Sequence, residues 1–331
     1  MLFMIKFNIL LFFCTIALTF AAGFGYRLFW IRIFNLQTIP SGFGVLLSFI
    51  MLASAVAANI SHELKISLLI IVPAAIAYWL DDVITLSALI RILISFLTGV
   101  AIAIVNLHGS GTYSLLALLW ISSLVGLINV ALTNIVNFYD GADLNLATFI
   151  ALTSTLILIF THTDSEWITI SLACIAFIIP FAFMNRLPKT IYLGDSGSFV
   201  FASTLTLMSV SFYKDWESVP VEAAIPVALV SFDVFFVLLI RITERHDLLT
   251  RHYLHLYQRL NRRYQGFGYL APQIINVLLC LAIAKAFQFA GFGDVLSVLI
   301  AMITVTIPFY FSCRWFFLPR GDMRTSILDK F

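Results

Sequence analysis

Three short stretches of this chain gather carboxylates and carboxamides at spacings that suit work on phosphate. The first is Tyr78-Trp79-Leu80-Asp81-Asp82, with two adjacent aspartates at the end of an apolar run. The second runs from Asn134 to Asp143 as NIVNFYDGAD. If it is helical, Asn137 shares a face with Asp140, and Asp140 with Asp143, because residues three apart are neighbours. The third runs from Asn185 through Pro188 and Lys189 to Gly194-Asp195-Ser196-Gly197-Ser198. There a glycine-flanked aspartate at a helix start offers a carboxylate and backbone N–H groups, which suits a cation or a phosphate. Asp81, Asp82, Asp140, Asp143 and Asp195, held at one level, repel one another unless a cation or protonation compensates. Hard oxygen ligands select Mg2+ or Mn2+, and Mg2+ usually shares its shell with phosphate, so a metal–diphosphate site is the economical reading. The plainer alternative is helix capping, which aspartate and asparagine do well.

The stretch 242–269 supplies the opposite charge. Between Leu248 and Tyr264 the spacing predicts an amphipathic helix, with Leu249, Tyr253, Leu256 and Leu260 on one stripe and Arg251, His255, Arg259 and Arg262 on another. Such a helix can lie in the membrane interface and present cations to phosphate, or it can simply anchor the loop to anionic lipid. His252 and His255 sharpen the first reading because an acidic, phosphate-seeking site accompanies them. Asp233 sits in the middle of an apolar run, where a carboxylate is costly and marks either function or a hydrogen-bonded structural role.

The elements that position these residues must lie in a bilayer. Of the 331 residues 61% are hydrophobic and 11% charged, and the net charge is +2. That composition excludes a cytosolic enzyme, a nucleic-acid-binding module and a disordered chain, and leaves an all-α polytopic membrane protein. Apolar segments predict about eleven transmembrane helices, near 2–24, 43–60, 66–80, 89–106, 115–136, 145–161, 167–184, 198–212, 223–241, 270–290 and 295–317. The first also has features of a cleaved signal peptide, with Lys6 preceding its apolar stretch. A single integral membrane domain is expected over 1–331, with 242–269 as a basic loop inside it. Cys14, Cys174, Cys280 and Cys313 stand in apolar runs without CxxC spacing and read as small buried hydrophobes.

Fifteen of the 19 Lys and Arg residues fall on one set of alternate connections and helix ends; only Lys6, Lys65, Lys214 and Lys285 fall on the other. The positive-inside rule then places the N-terminus outside, the C-terminus in the cytoplasm, and all three acidic clusters at the cytoplasmic face.

Taken together, Leu80-Asp81-Asp82, NIVNFYDGAD, NRLPKTIYLGDSGS from Asn185 to Ser198 and HLYQRLN from His255 to Asn261 resemble the polyprenyl-phosphate N-acetylhexosamine 1-phosphate transferases. That family includes the phospho-MurNAc-pentapeptide translocase and enzymes that start O-antigen assembly. The resemblance implies that a polyprenyl phosphate attacks the β-phosphorus of a UDP-sugar and UMP leaves, starting cell-envelope polysaccharide or peptidoglycan synthesis. It assigns Asp195 and Asp82 to Mg2+, with Mn2+ as the alternative ion, and Asp81, Asp82, Asp140 and His255 to catalysis. Asn137, Phe138, Asp143, Asn185, Lys189 and Arg259 would bind substrate, with His255 and Arg259 at phosphate. The implied partners are a UDP-sugar, polyprenyl phosphate and the bacterial cytoplasmic (inner) membrane, with no nucleic acid and with a homodimer left open. Three positions depart from the family pattern: Ile39-Pro40-Ser41-Gly42-Phe43-Gly44 lacks an Arg, Leu144 replaces a Gly, and Tyr253 replaces an Arg. An ion-coupled secondary transporter and an inactive scaffold of a polysaccharide assembly complex are the rival readings.

Overall fold

The computed structural model describes residues 2–34, 38–108, 113–161, 165–186, 189–245, 254–264 and 268–317, with residues 2–8 and 34 as backbone only. Every element among them is helical, and each of the eleven apolar stretches falls on a helix. Eight helical segments are long and apolar enough to cross a membrane. The chain divides into two units, Met1–Pro220 and Val221–Phe331.

Unit 1 holds α1 (Leu2–Phe34), α2 (Val45–Ala57), α3 (His62–Ile84), α4 (Ala88–His108), α5 (Leu115–Tyr139), α6 (Asn145–Phe160), α7 (Trp167–Arg186) and α8 (Gly194–Lys214). The apolar helices α2 and α6 are shorter, at 13 and 16 residues. The central helix is α8, which packs on α2, α3, α4 and α5 and is buried on nearly every side from Ser196 to Met208. Its small and hydroxylated residues, Ser196, Gly197, Ser198, Ala202, Ser203, Thr204 and Thr206, let backbones approach closely, as helices in lipid require. Polar pairs fasten the contacts: Thr206 Oγ1 donates to Asn129 Oδ1 (2.8 Å), and Asn129 Nδ2 donates to the Ser95 carbonyl (2.7 Å). At the crossing of α4 and α5, a Cβ on Gly99 would lie 2.9 Å from the Gly126 Cα, so neither position has room for a side chain.

Unit 2 holds α9 (Ile225–Thr243), the short α10 (Leu256–Arg263), α11 (Ala271–Phe289) and α12 (Asp294–Phe317). Here α9, α11 and α12 pack pairwise, and Gly291, at φ +91°, turns the chain between the last two.

Several expectations need adjustment. Helix α1 continues ten residues beyond its expected end, to Phe34, because the sequence stays apolar past Tyr26 and no proline intervenes before Pro40. The helix expected over 248–264 is observed only as Leu256–Arg263; Arg251, His252 and Tyr253 lie outside the described residues. Of the four cysteines, Cys14 is exposed on α1 rather than buried.

Candidate active site

One end of unit 1 collects the C-terminal turns of α3 and α5 and the N-terminal turns of α4 and α8. Asp81 and Asp82 close α3. Asp81 is buried; its Oδ1 accepts the backbone N–H of Leu86, and its Oδ2 lies 3.1 Å from Arg91 Nη1 on α4. Asp82 faces the other way. It accepts the Ser41 hydroxyl (2.8 Å) and the backbone N–H groups of Asp195 (3.1 Å) and Ser196 (3.3 Å), and so caps the first turn of α8 from outside its own segment. The capping explains two glycines. Gly42 and Gly194 have φ of +89° and +74°, and a Cβ on Gly194 would sit 2.5 Å from Asp82 Oδ1.

Asp195, in the first turn of α8, accepts Asn137 Nδ2 from α5 at 2.8 Å and Arg91 Nη1 at 3.0 Å. One guanidinium nitrogen therefore bridges Asp81 and Asp195. Burial and the neighbouring Asp81 hold the Asp195 carboxyl above the ordinary carboxylate range, against the opposing pull of Asn137 and Arg91. Asp140 follows α5, and its carboxyl is held well above that range, by burial first and then by the charges of Asp195 and Asp82. Phe138 lies on the same turn and is 37% exposed.

A second cluster in unit 1 centres on Asp143, whose carboxylate meets Arg186 Nη1 at 3.2 Å and Lys189 Nζ at 2.9 Å. Partial burial lowers the Lys189 pKa, but Asp143 and Tyr192 outweigh it and the net direction is upward. Asn185 uses its side chain within the fold, accepting the Leu144 N–H (3.0 Å) and donating to the Ile191 carbonyl (2.9 Å). Asp143, Asn185 and Lys189 thus order the approach to Gly194.

In unit 2 the expected phosphate-facing residues are enclosed. His255 is 3% and Arg259 9% exposed, whereas Arg262 and Arg263 face outward. His255 is drawn in by Asp233, whose Oδ2 lies 2.9 Å from Nδ1.

The residue types suit Mg2+, because the donors are carboxylate oxygens and two of them, on Asp81 and Asp195, already share one cation, the Arg91 guanidinium. Among the described residues no group of three or more His, Cys, Asp or Glu side chains is arranged as a ready metal cage. Arg91, Ser41 and Arg186 were not singled out as site residues by sequence. Arg91 reads there as one more positive-inside residue, and only its position nine residues after Asp82, across a helix turn, hints at the contact.

Residues 64–213 match the model of glycosyl transferase family 4. Over this stretch the chain is similar to glycosyl transferase family 4. The matched segment lies wholly in unit 1 and carries Asp81, Asp82, Arg91, Asn137, Asp140 and Asp195. Among curated relatives, the chain is similar to the phospho-N-acetylmuramoyl-pentapeptide-transferase of two Lactococcus lactis subsp. cremoris strains, MG1363 and SK11. It is 25% identical to each over 140 residues, covering 40% of this chain and 43% of the relative. It is also similar to a protein of Bacillus subtilis (strain 168) named "Probable undecaprenyl-phosphate N-acetylglucosaminyl 1-phosphate transferase". That match is 28% identical over 195 residues, covering 55% of this chain and 53% of the relative. The chain thus spans about half the length of the curated relatives it matches.

Proposed function

We propose that this chain transfers an N-acetylhexosamine 1-phosphate from a UDP-sugar to polyprenyl phosphate, yielding a polyprenyl-diphospho-sugar and UMP at the cytoplasmic face of the bacterial inner membrane. The observation that carries the reading is the convergence of Asp81, Asp82, Asn137, Asp140 and Asp195 on one end of the segment that matches glycosyl transferase family 4, with the Arg91 guanidinium shared by Asp81 and Asp195. Phosphoryl transfer needs positioning and charge neutralisation more than covalent help. Asp195 and Asp81 would hold Mg2+, with Asp82 fixing the loop that carries Asp195. When bound, the ion neutralises charge on the diphosphate as a Lewis acid.

The remaining work falls to the chain's own groups. Arg91 would pass from the two carboxylates to a diphosphate oxygen once the cation is in place. Asp140, whose carboxyl is held well above the ordinary carboxylate range by burial and by the charges of Asp195 and Asp82, would act in its ionised form as the base that takes the proton of the acceptor phosphate. Asn137, Phe138, Asp143, Asn185 and Lys189 would shape the nucleotide-sugar subsite, directly or by ordering the 185–194 segment. Within unit 2, His255 and Arg259 keep the phosphate-binding assignment that the family resemblance gives them. The test is UMP release by purified protein given polyprenyl phosphate, Mg2+ and a panel of UDP-N-acetylhexosamines. Release that needs both the lipid and one sugar nucleotide is the expected result. No UMP with any donor in the panel rejects the transferase reading.

A further inference from the structure

Tyr26 on α1 and Ser41 between α1 and α2 both precede the segment that matches glycosyl transferase family 4, yet hydrogen bonds tie them to the acidic site of unit 1. Residues 40–44 lie along residues 192–196. The backbone N–H of Tyr192 donates to the Pro40 carbonyl (2.8 Å), and those of Phe43 and Gly44 donate to the carbonyls of Tyr192 (3.1 Å) and Leu193 (2.9 Å). Ser196 Oγ donates to the Gly42 carbonyl at 3.1 Å. The Ser41 carbonyl goes elsewhere, to the Tyr26 hydroxyl. A carbonyl only accepts and an indole N–H only donates, so Tyr26 gives its proton to Ser41 and receives that of Trp79 Nε1 at 2.9 Å. Trp79 also lies against Gly42, where a Cβ would meet its Cδ1 at 2.7 Å.

The consequence falls on Asp82. With its carbonyl held by α1, Ser41 gives its hydroxyl to Asp82 Oδ1 (2.8 Å), and the same carboxylate accepts the backbone N–H groups of Asp195 and Ser196. We propose that Tyr26 and Ser41 are positioning residues for Asp195. They set the Asp82 carboxylate, which holds the first turn of α8 so that the Asp195 side chain meets Asn137 and Arg91. The bonds between residues 40–44 and 192–196 use neither hydroxyl, so removing one leaves that pairing in place and changes only where Asp82 points. That Asp195 serves phosphoryl transfer rests on the transferase reading; the hold on α8 does not.

The experiment pairs amide hydrogen exchange, read by mass spectrometry of the full chain in lipid nanodiscs, with UMP-release kinetics. Tyr26→Phe removes one hydroxyl and keeps the ring beside Trp30 and Phe43; Ser41→Ala removes the other. Each should speed exchange over residues 193–198 on the order of tenfold and leave residues 200–210 of α8 unchanged. Each should also lower kcat about tenfold with KM changed less than about twofold, and Ser41→Thr, which keeps a hydroxyl, should restore both readouts. In the Ser41→Ala background, Tyr26→Phe should cost less than about twofold more, because both act through one hydroxyl. Unchanged exchange over 193–198 in both variants overturns the proposal. Exchange that rises equally through α1, α2 and α8 marks a general anchor and overturns it too, as do losses that multiply in the double variant. Faster exchange confined to 193–198 in a protein that releases no UMP supports the positioning and rejects the transferase reading instead.

Discussion

Arg91 is the residue on which the acidic site of unit 1 balances. Its Nη1 is 3.1 Å from Asp81 and 3.0 Å from Asp195, and with it removed two carboxylates face each other with no charge between them. Arg91→Ala should therefore lower the Tm measured in EDTA, and added Mg2+ or Mn2+ should raise that Tm by more degrees than in the unaltered protein, because the ion takes the place of the guanidinium. Equal metal shifts in both proteins would show that Arg91 and the ion do not compete. Asp140 gives a pH prediction of definite sign. Its carboxyl, like that of Asp195, is raised above the unfolded value, so the folded state binds the proton more tightly and stability is lost as pH rises from the unfolded pKa toward the raised one. In EDTA, Tm should fall as pH climbs from about 4 toward neutrality. Asp140→Asn should flatten that slope and raise Tm at pH 7 while lowering UMP release. A slope of the opposite sign would contradict the charge balance described above.

Leu144 shows how an element boundary serves the site. It precedes α6 with φ +61°, a left-handed conformation that glycine adopts most readily, and this turn aims its N–H at Asn185 Oδ1. A β-carbon in that conformation costs about 1–2 kcal/mol. Leu144→Gly should accordingly be more stable than Leu144→Ala by about 1 kcal/mol in reversible unfolding, since both lose the same contacts and only alanine keeps the clash. Ala equal to Gly would mean that the turn relaxes. The helices themselves were legible, because an apolar run long enough to be enclosed in lipid has few other folds open to it. The pairing of polar ends was less so. Asp82 reads in sequence as a metal ligand, yet its oxygens accept Ser41 and the first turn of α8, a contact set by the approach of Gly42 and Gly194 rather than by any local spacing. His255 reads as a residue on an exposed basic stripe, and the charge that buries it, Asp233, lies 22 positions away.

For the molecule as a whole, the length of α8 and the spread of basic charge predict which face each cluster meets. Helix α8 has 21 residues from Gly194 to Lys214, so at 1.5 Å per residue it spans about 30 Å, the thickness of the hydrocarbon layer. If it crosses, Asp195 and Glu217 lie near opposite surfaces. By the positive-inside rule, the distribution of 15 basic residues against four predicts a cytoplasmic position for the Asp195 end. Cytoplasmic access is also where a water-soluble sugar nucleotide would be met. The four native cysteines can be replaced first, Cys14 being exposed and Cys174, Cys280 and Cys313 buried, and single cysteines then placed at Lys189, Glu217 and Arg262. A membrane-impermeant maleimide should label Lys189→Cys and Arg262→Cys only in inverted vesicles, and Glu217→Cys only in right-side-out ones. Labelling of positions 189 and 217 from the same side would mean that α8 does not cross. Labelling of position 189 from outside would reverse the topology and take the acidic site away from any cytoplasmic nucleotide.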